Sequence, residues 1–441
     1  MAFLQKPMAF ALLVLAAVWV WTIAPFWLQE GMFLDGIIYA SVAQNLADGI
    51  GTFWAPVYQP SASVPYSEQL PLFTGLESLF FRALGGSVWT ERLFLGCAWV
   101  VHVLGIRAVQ RRWWPEQGVD AYWWVVSVWS LLPLVAWGMG NHVQEMWMSA
   151  FALWAVVALS HERWSWLGGV LTVAAFLFKG PQGLFPLVWL PLASAFGIIH
   201  KQPFRKSLGW AFVFVLLSFA LLWLWDDARL ALVRNAENRL VRTFTAVRAV
   251  NTTHRLWLLG PMLAQWGVVL AASVVLARVR YGAVRFVWDR RTSAFLLFSL
   301  CASLPLLITR EQRDFYLIPS TVFAALGVVH SFKGSLVLPS KRLAAGFGLL
   351  VVLGTLTLPY RRHERDKDLR AELAHQAPGF APGSSFNVQP ELRLHFLLQS
   401  YGMRFNRWEV DLTNEKVHEN RVEQHSTKEG LVFMRKATEQ K

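Results

Sequence analysis

The chain has 441 residues, of which 55% are hydrophobic, 14% aromatic and only 16% charged, a balance that excludes an ordinary soluble globular protein of this length. The net charge of +13 does not point to a nucleic-acid partner. The Lys and Arg residues cluster in short loops between apolar runs, where they set orientation and meet lipid phosphates. Cys97 and Cys301 are the two cysteines, both inside apolar runs, which argues against a disulfide framework.

Apolar runs fall at 8–28, 93–109, 121–139, 144–160, 164–178, 183–199, 208–225, 257–277, 293–309, 315–330 and 343–359. They predict an all-α polytopic membrane protein of about 11 transmembrane helices. No small-residue cleavage site ends the first run, so it reads as a retained helix. Many of the 24 Trp sit at run ends, as in an interfacial aromatic belt. With the N-terminus inside, every inside loop carries Lys or Arg. The first outside loop instead holds Glu30, Asp35, Asp48, Glu68, Glu77 and Glu91 against Arg82 and Arg92. The positive-inside rule therefore places the N-terminus in the cytoplasm and the C-terminus outside. Three outside segments break the rule: Lys179, the six arginines of 229–255, and Arg310 with Arg313. Basic groups on the disfavoured side point to an anionic ligand there, or to snorkelling and headgroup contact.

The first outside loop, 29–92, holds Ile38, Val42 and Leu46 at helical spacing, which predicts an amphipathic helix at the membrane surface. Leu72, Phe73, Leu76, Leu79 and Phe80 predict a second one. Residues 1–359 are expected to form the transmembrane catalytic domain. Residues 360–441, with strand-like pieces at Phe386–Val388 and Leu431–Met434, are expected to form a small extracytoplasmic α/β domain.

Two outside carboxylates, Asp35 and Glu68, stand beside basic groups. Such a pair suits transfer to a hydroxyl: one carboxylate takes the acceptor proton, and the other can bind a divalent cation through its oxygens. Four strings then occur in order on one predicted side. They are Asp35-Gly-Ile-Ile-Tyr39-Ala40, Tyr66-Ser-Glu68-Gln-Leu-Pro71-Leu72, Lys179-Gly180-Pro181-Gln-Gly183 and Tyr316-Leu-Ile-Pro319. Together they resemble motifs of the GT-C glycosyltransferases, specifically the lipid A aminoarabinose transferase and protein O-mannosyltransferase families.

The resemblance implies a multi-pass enzyme of the bacterial inner membrane. Its donor would be a polyprenyl-phosphate-linked sugar and its acceptor an extracytoplasmic lipid, glycan or protein. Asp35 would match the catalytic or acceptor-orienting aspartate, and Glu68 a glutamate that helps to bind a divalent metal cation. Lys179 would contact the lipid phosphate, and Tyr39 and Tyr66 would line the substrate pocket. The chain departs from the pattern at Gly36, Ile38 and Gln69-Leu70, where the families have an acid, an arginine and Lys-Pro. Arg310 and Arg313 are candidate replacements for the missing cations, and His142 with Glu145 falls on the same face. A transporter or lipid flippase, and a non-catalytic assembly protein of the same fold, are the competing readings. Asp35→Asn is expected to abolish sugar transfer while leaving the protein folded in the membrane, measured by transfer assay and by yield of intact purified protein.

Overall fold

A computed structural model describes residues 6–60, 65–118, 121–199, 201–241, 256–282, 284–309, 312–334, 340–389, 396–411, 420–424 and 431–435. The chain forms two compact units. The first comprises Met1–Leu28, Ser67–Phe73 and Arg92–Arg362, and the second Gln29–Tyr66, Thr74–Glu91 and His363–Lys441. The division does not follow the boundary expected at 359/360, because most of the first outside loop shares a unit with the C-terminal residues.

The first unit carries the membrane-spanning helices. Among the described residues, eight helices are long and apolar enough to cross a bilayer, fewer than the eleven runs suggested. The run at 121–139 is a broken one: Ala121–Leu131 and Pro133–Asn141 meet at 72°. Pro133 lacks an amide N–H and pushes the residue before it out of the helical region, and Leu132 is extended at φ −66°, ψ 130°. The runs at 164–178 and 183–199 are parts of one 34-residue stretch, Glu162–Ala195, continued through a 3-10 segment at Gly180–Val188. Gln144–Leu159 is apolar but has only 16 residues.

Burial separates central helices from peripheral ones. Asp314–Ser331 is 94% buried over its most apolar window, against 17% for Phe204–Leu224 and 11% for Lys341–Arg361. Helix Gln144–Leu159 packs on Ser165–Lys179, and Arg290–Ser303 on Ile318–Ser331. One set of buried polar groups inside the bundle is paired in a chain. The His102 ring contacts Ala98 O through Nδ1 at 2.9 Å and Ser149 Oγ through Nε2 at 3.0 Å. It stacks on Trp129 at 4.6 Å, whose Nε1 donates to Thr321 Oγ1 at 3.2 Å.

Three helices are locked at one point. Trp27 Nε1 donates to Arg92 O at 3.0 Å, and the buried Arg92 donates through Nη1 to Gly140 O at 2.6 Å. Gly140 itself lies so close to the chain at Phe26 that an added Cβ would stand 2.4 Å from Phe26 O.

In the second unit, helix Leu34–Ala47 forms where the apolar spacing predicts. Its polar residues are buried as well: Ser41 and Asn45 are inaccessible, and Asn45 Nδ2 donates to Val57 O and Tyr58 O at 3.0 and 2.9 Å. Strands Glu409–Asp411, Ser385–Val388, Asn420–Gln424 and Leu431–Arg435 lie in that order in one sheet. The first two junctions are parallel and the last antiparallel. Met32 and Ile37 from the loop share a core with Phe386, Tyr401, Trp408 and Val422. Tyr58 donates to Ser400 Oγ at 2.9 Å, and Tyr401 to Asp366 Oδ2 at 2.9 Å. Burial raises both phenol pKa values, helped at Tyr401 by the Asp366 charge, so both hydroxyls stay protonated donors at neutral pH. Arg404 Nε meets Glu91 at 2.7 Å with both side chains buried.

Gly140→Ala is expected to destabilise the first unit by roughly 1–3 kcal/mol through overpacking, read as a lowered melting temperature of the detergent-solubilised protein.

Candidate active site

Lys179 is the last residue of helix Ser165–Lys179. The turn behind it depends on two glycines. Gly180 has φ 76° and ψ −148°, a conformation close to exclusive to glycine. At Gly183 a Cβ would lie 2.3 Å from the Ala175 backbone, so only glycine lets the 3-10 segment fold back onto its own helix. Gln182 then donates through Nε2 to Tyr316 O at 2.7 Å, which ties this turn to the segment Asp314–Leu317.

Lys179 Nζ lies 2.9 Å from Glu145 Oε1, with the two side chains 8% and 1% exposed. Glu145 stands in the first turn of helix Gln144–Leu159, where the helix dipole favours a carboxylate. On its other side the ammonium faces the Tyr316 ring, 4.9 Å from the centroid, and the Phe315 ring at 5.8 Å, within cation–π range.

Lys179 and Tyr316 of this group line a cavity of about 500 Å³. Lys179, Gln182, Tyr316, Thr309, Asn235 and Gln69 supply its polar lining. Leu184, Phe185, Val188, Leu306 and Ile308 are among its apolar lining. Val188 and Ile308 are also 40% and 64% exposed, so the apolar wall reaches the protein surface. Asn235 and Asn238 hold the segment that carries Gln69, donating to Ser67 O at 3.0 Å and Ser67 Oγ at 2.8 Å. A charged, hydrogen-bonding lining and a long apolar wall can hold an amphiphile with an anionic head.

The expected residues are distributed as follows. Lys179 lines the cavity, as does Tyr316 of the fourth string. Glu68 is exposed, next to the lining residues Gln69 and Leu70. His142 does not line the cavity. It is fully buried at the left-handed end of helix Pro133–Asn141, with its ring 5.1 Å from Phe73 and 5.8 Å from Phe94. Arg313 is half-buried, and Arg310 lies outside the described residues. Of the arginines of 229–255, Arg229 pairs with Asp226 at 2.6 Å, while Arg242, Arg248 and Arg255 lie outside the described residues. Asp35, Tyr39 and Tyr66 belong to the second unit. There Asp35 occupies the first turn of helix Leu34–Ala47, Tyr39 is buried and Tyr66 is half-buried. Among the described residues, no group of three or more His, Cys, Asp or Glu side chains could hold a metal ion.

The residues that sequence reasoning missed are Gln182, Asn235, Thr309 and Cys301 in the lining. Gln182 sat inside the Lys-Gly-Pro-Gln-Gly string and was readable as a polar residue next to the lysine. The others carry no local signal.

No protein-family model matches the chain, and no curated protein matches its sequence. Solved structures do match. ArnT from Cupriavidus metallidurans bound to undecaprenyl phosphate superposes with a TM-score of 0.64 at 14% identity, over 92% of this chain and 86% of that one. The apo state of the same protein gives 0.61 at 13%, over 94% and 92%. The Archaeoglobus fulgidus oligosaccharyltransferase in the apo form gives 0.49 at 11%, over 94% and 65%.

The chain shares the fold of these ArnT structures. The resemblance expected from the four strings thus holds at the level of the fold, and the protein is a multi-pass membrane protein of that architecture.

Lys179→Met should cost about 3–5 kcal/mol, because it leaves Glu145 buried without its partner. Adding Glu145→Gln should restore much of the loss. Denaturation of the two single variants and the double variant in detergent checks this, and strictly additive losses would contradict the pairing.

Proposed function

We propose that the protein is a glycosyltransferase that moves a sugar from a polyprenyl-phosphate-linked donor to an extracytoplasmic acceptor. It would do so in a bacterial inner membrane, with its N-terminus on the cytoplasmic side. The observation that carries this reading is the cavity of the first unit, with a lysine in its lining and an apolar wall that reaches the surface. A lipid phosphate is an anion on a hydrocarbon chain and suits both. The undecaprenyl phosphate bound to the Cupriavidus ArnT of the same fold supports this ligand class.

In the reaction the acceptor oxygen forms a new bond to the anomeric carbon. The carbon–oxygen bond to phosphate breaks, with its electron pair leaving on the phosphate oxygen. The acceptor proton passes to a carboxylate base. Asp35 is proposed as that base, on the support of its motif. Lys179 is proposed to neutralise charge as it builds on the leaving phosphate, the kind of electrostatic assistance that a low-dielectric site makes strong. Gln182 and the Tyr316 hydroxyl add hydrogen-bonding capacity on the same lining.

The test uses the full chain in lipid nanodiscs with radiolabelled polyprenyl-phosphate sugars and extracytoplasmic lipid and glycan acceptors. Release of polyprenyl phosphate with label in the acceptor supports the reading. Movement of the intact donor across the bilayer without cleavage would replace it with a flippase. Lys179→Met is expected to weaken donor binding roughly 10- to 100-fold, the worth of one charge-assisted hydrogen bond. Asp35→Asn should leave donor binding intact and stop release.

A further inference from the structure

Lys179 does not wait for a ligand as an isolated charge. Its ammonium belongs to a residue of the cavity lining and is already met by Glu145 at 2.9 Å, inside the protein. Any phosphate seated on Lys179 therefore arrives beside a buried carboxylate. Like charges so placed repel strongly in a poorly screened interior. The repulsion grows with the charge on the phosphate, and donor and product differ in that charge. The donor phosphate is a diester with one negative charge. The product, polyprenyl phosphate, is a monoester that carries about 1.5 to 2 negative charges at pH 7.

We propose that Glu145 is a positioning residue that discriminates between the two. It keeps Lys179 charged and oriented in the empty cavity, tolerates the singly charged donor, and drives out the more negative product by reclaiming the lysine. This rests on the reading that the cavity binds a lipid phosphate. The other charged or titratable groups on the segments around this pair are His142 just before the helix, Asp314 and Tyr316 on Asp314–Leu317, and Glu91, Arg92, Cys97, His102, Arg107, Arg111 and Arg112 on helix Val88–Trp113, of which Glu91 is paired with Arg404. Arg92 is engaged with Gly140 O and His102 with Ala98 and Ser149. Glu145 is the carboxylate that meets the Lys179 ammonium at 2.9 Å, and it is the group to change.

The experiment measures binding of undecaprenyl phosphate and of an undecaprenyl-phosphate sugar to the full chain in nanodiscs at pH 7, together with steady-state turnover. Three proteins are compared: the wild type, Glu145→Gln and Glu145→Asp. Glu145→Gln should bind the monoester on the order of tenfold more tightly, a coupling of the size expected for one nearby charge. Its affinity for the diester should rise less. Its kcat should fall while its KM falls or holds, because product release slows. Glu145→Asp keeps the charge and should return most of the wild-type preference. A residue that only supports the fold would lower affinity for both lipids alike and show no split between kcat and KM. Equal or weaker monoester binding by Glu145→Gln, in a wild type that does bind undecaprenyl phosphate, would overturn the proposal. If the Gln variant does not fold, the wild type decides: weaker binding of undecaprenyl phosphate than of the undecaprenyl-phosphate sugar supports the proposal, and equal or tighter monoester binding overturns it. Absence of lipid-phosphate binding by the wild type would overturn the underlying reading and this proposal with it.

Discussion

An ammonium and a carboxylate are held 2.9 Å apart with almost no exposure, and much of the first unit makes sense as the means of keeping them there. A buried ion pair brings little net stability, because desolvation consumes most of the Coulomb attraction. Losing either partner is costly, however, and the pair therefore fixes the position of a charge that solvent would otherwise leave mobile. Two helices are aligned to make the contact, one presenting its C-terminal residue and the other its N-terminal turn. The helix dipole favours the carboxylate at its end, while at the lysine end the Tyr316 and Phe315 faces receive the ammonium.

The backbone around the pair is specialised for the same end. Gly180 takes a conformation closed to other residues, and Gly183 allows backbone contact that a methyl group would block. Pro133 breaks the preceding span at 72°, and the short second half of that span ends at His142, three residues before Glu145. These departures from regular helix place irregular backbone inside a membrane protein. Such backbone is tolerated where it is buried in protein or lines a cavity. At Gly180 to Val188 it lines the cavity itself.

Much of this was legible in the sequence, though unevenly. The membrane class followed from apolar content, and the Lys179-Gly180-Pro181-Gln-Gly183 string marked part of the polar lining of the cavity. Among the described residues eight helices have the length and apolarity of a span, against eleven apolar runs, and the difference has a physical reason. Hydropathy runs register composition, whereas Pro133 and Gly180 act through backbone geometry, one dividing a run and the other letting two runs continue as one. The partnership of Glu145 with Lys179 was invisible because it joins two residues 34 positions apart, on different helices, with no periodic signal. Similarly, Met32 and Ile37 read as part of a membrane-side loop, yet they share a core with Phe386 and Trp408. Strand and helix spacing describe one element at a time and do not say which distant element will cover it. His142 looked functional because it was a polar residue on the expected outer face. Its burial between Phe73 and Phe94 depends on neighbours distant in sequence.

The central claim is that this cavity seats a lipid phosphate on Lys179. A cryo-EM structure of the full chain in nanodiscs with undecaprenyl phosphate would test it most directly. The account predicts phosphate density at a charge-assisted hydrogen-bond distance from Lys179 Nζ, about 2.7–2.9 Å, with the isoprenoid chain along Leu184, Val188 and Ile308. Phosphate density elsewhere in the protein, with Lys179 and Glu145 still paired beside an empty cavity, would contradict it.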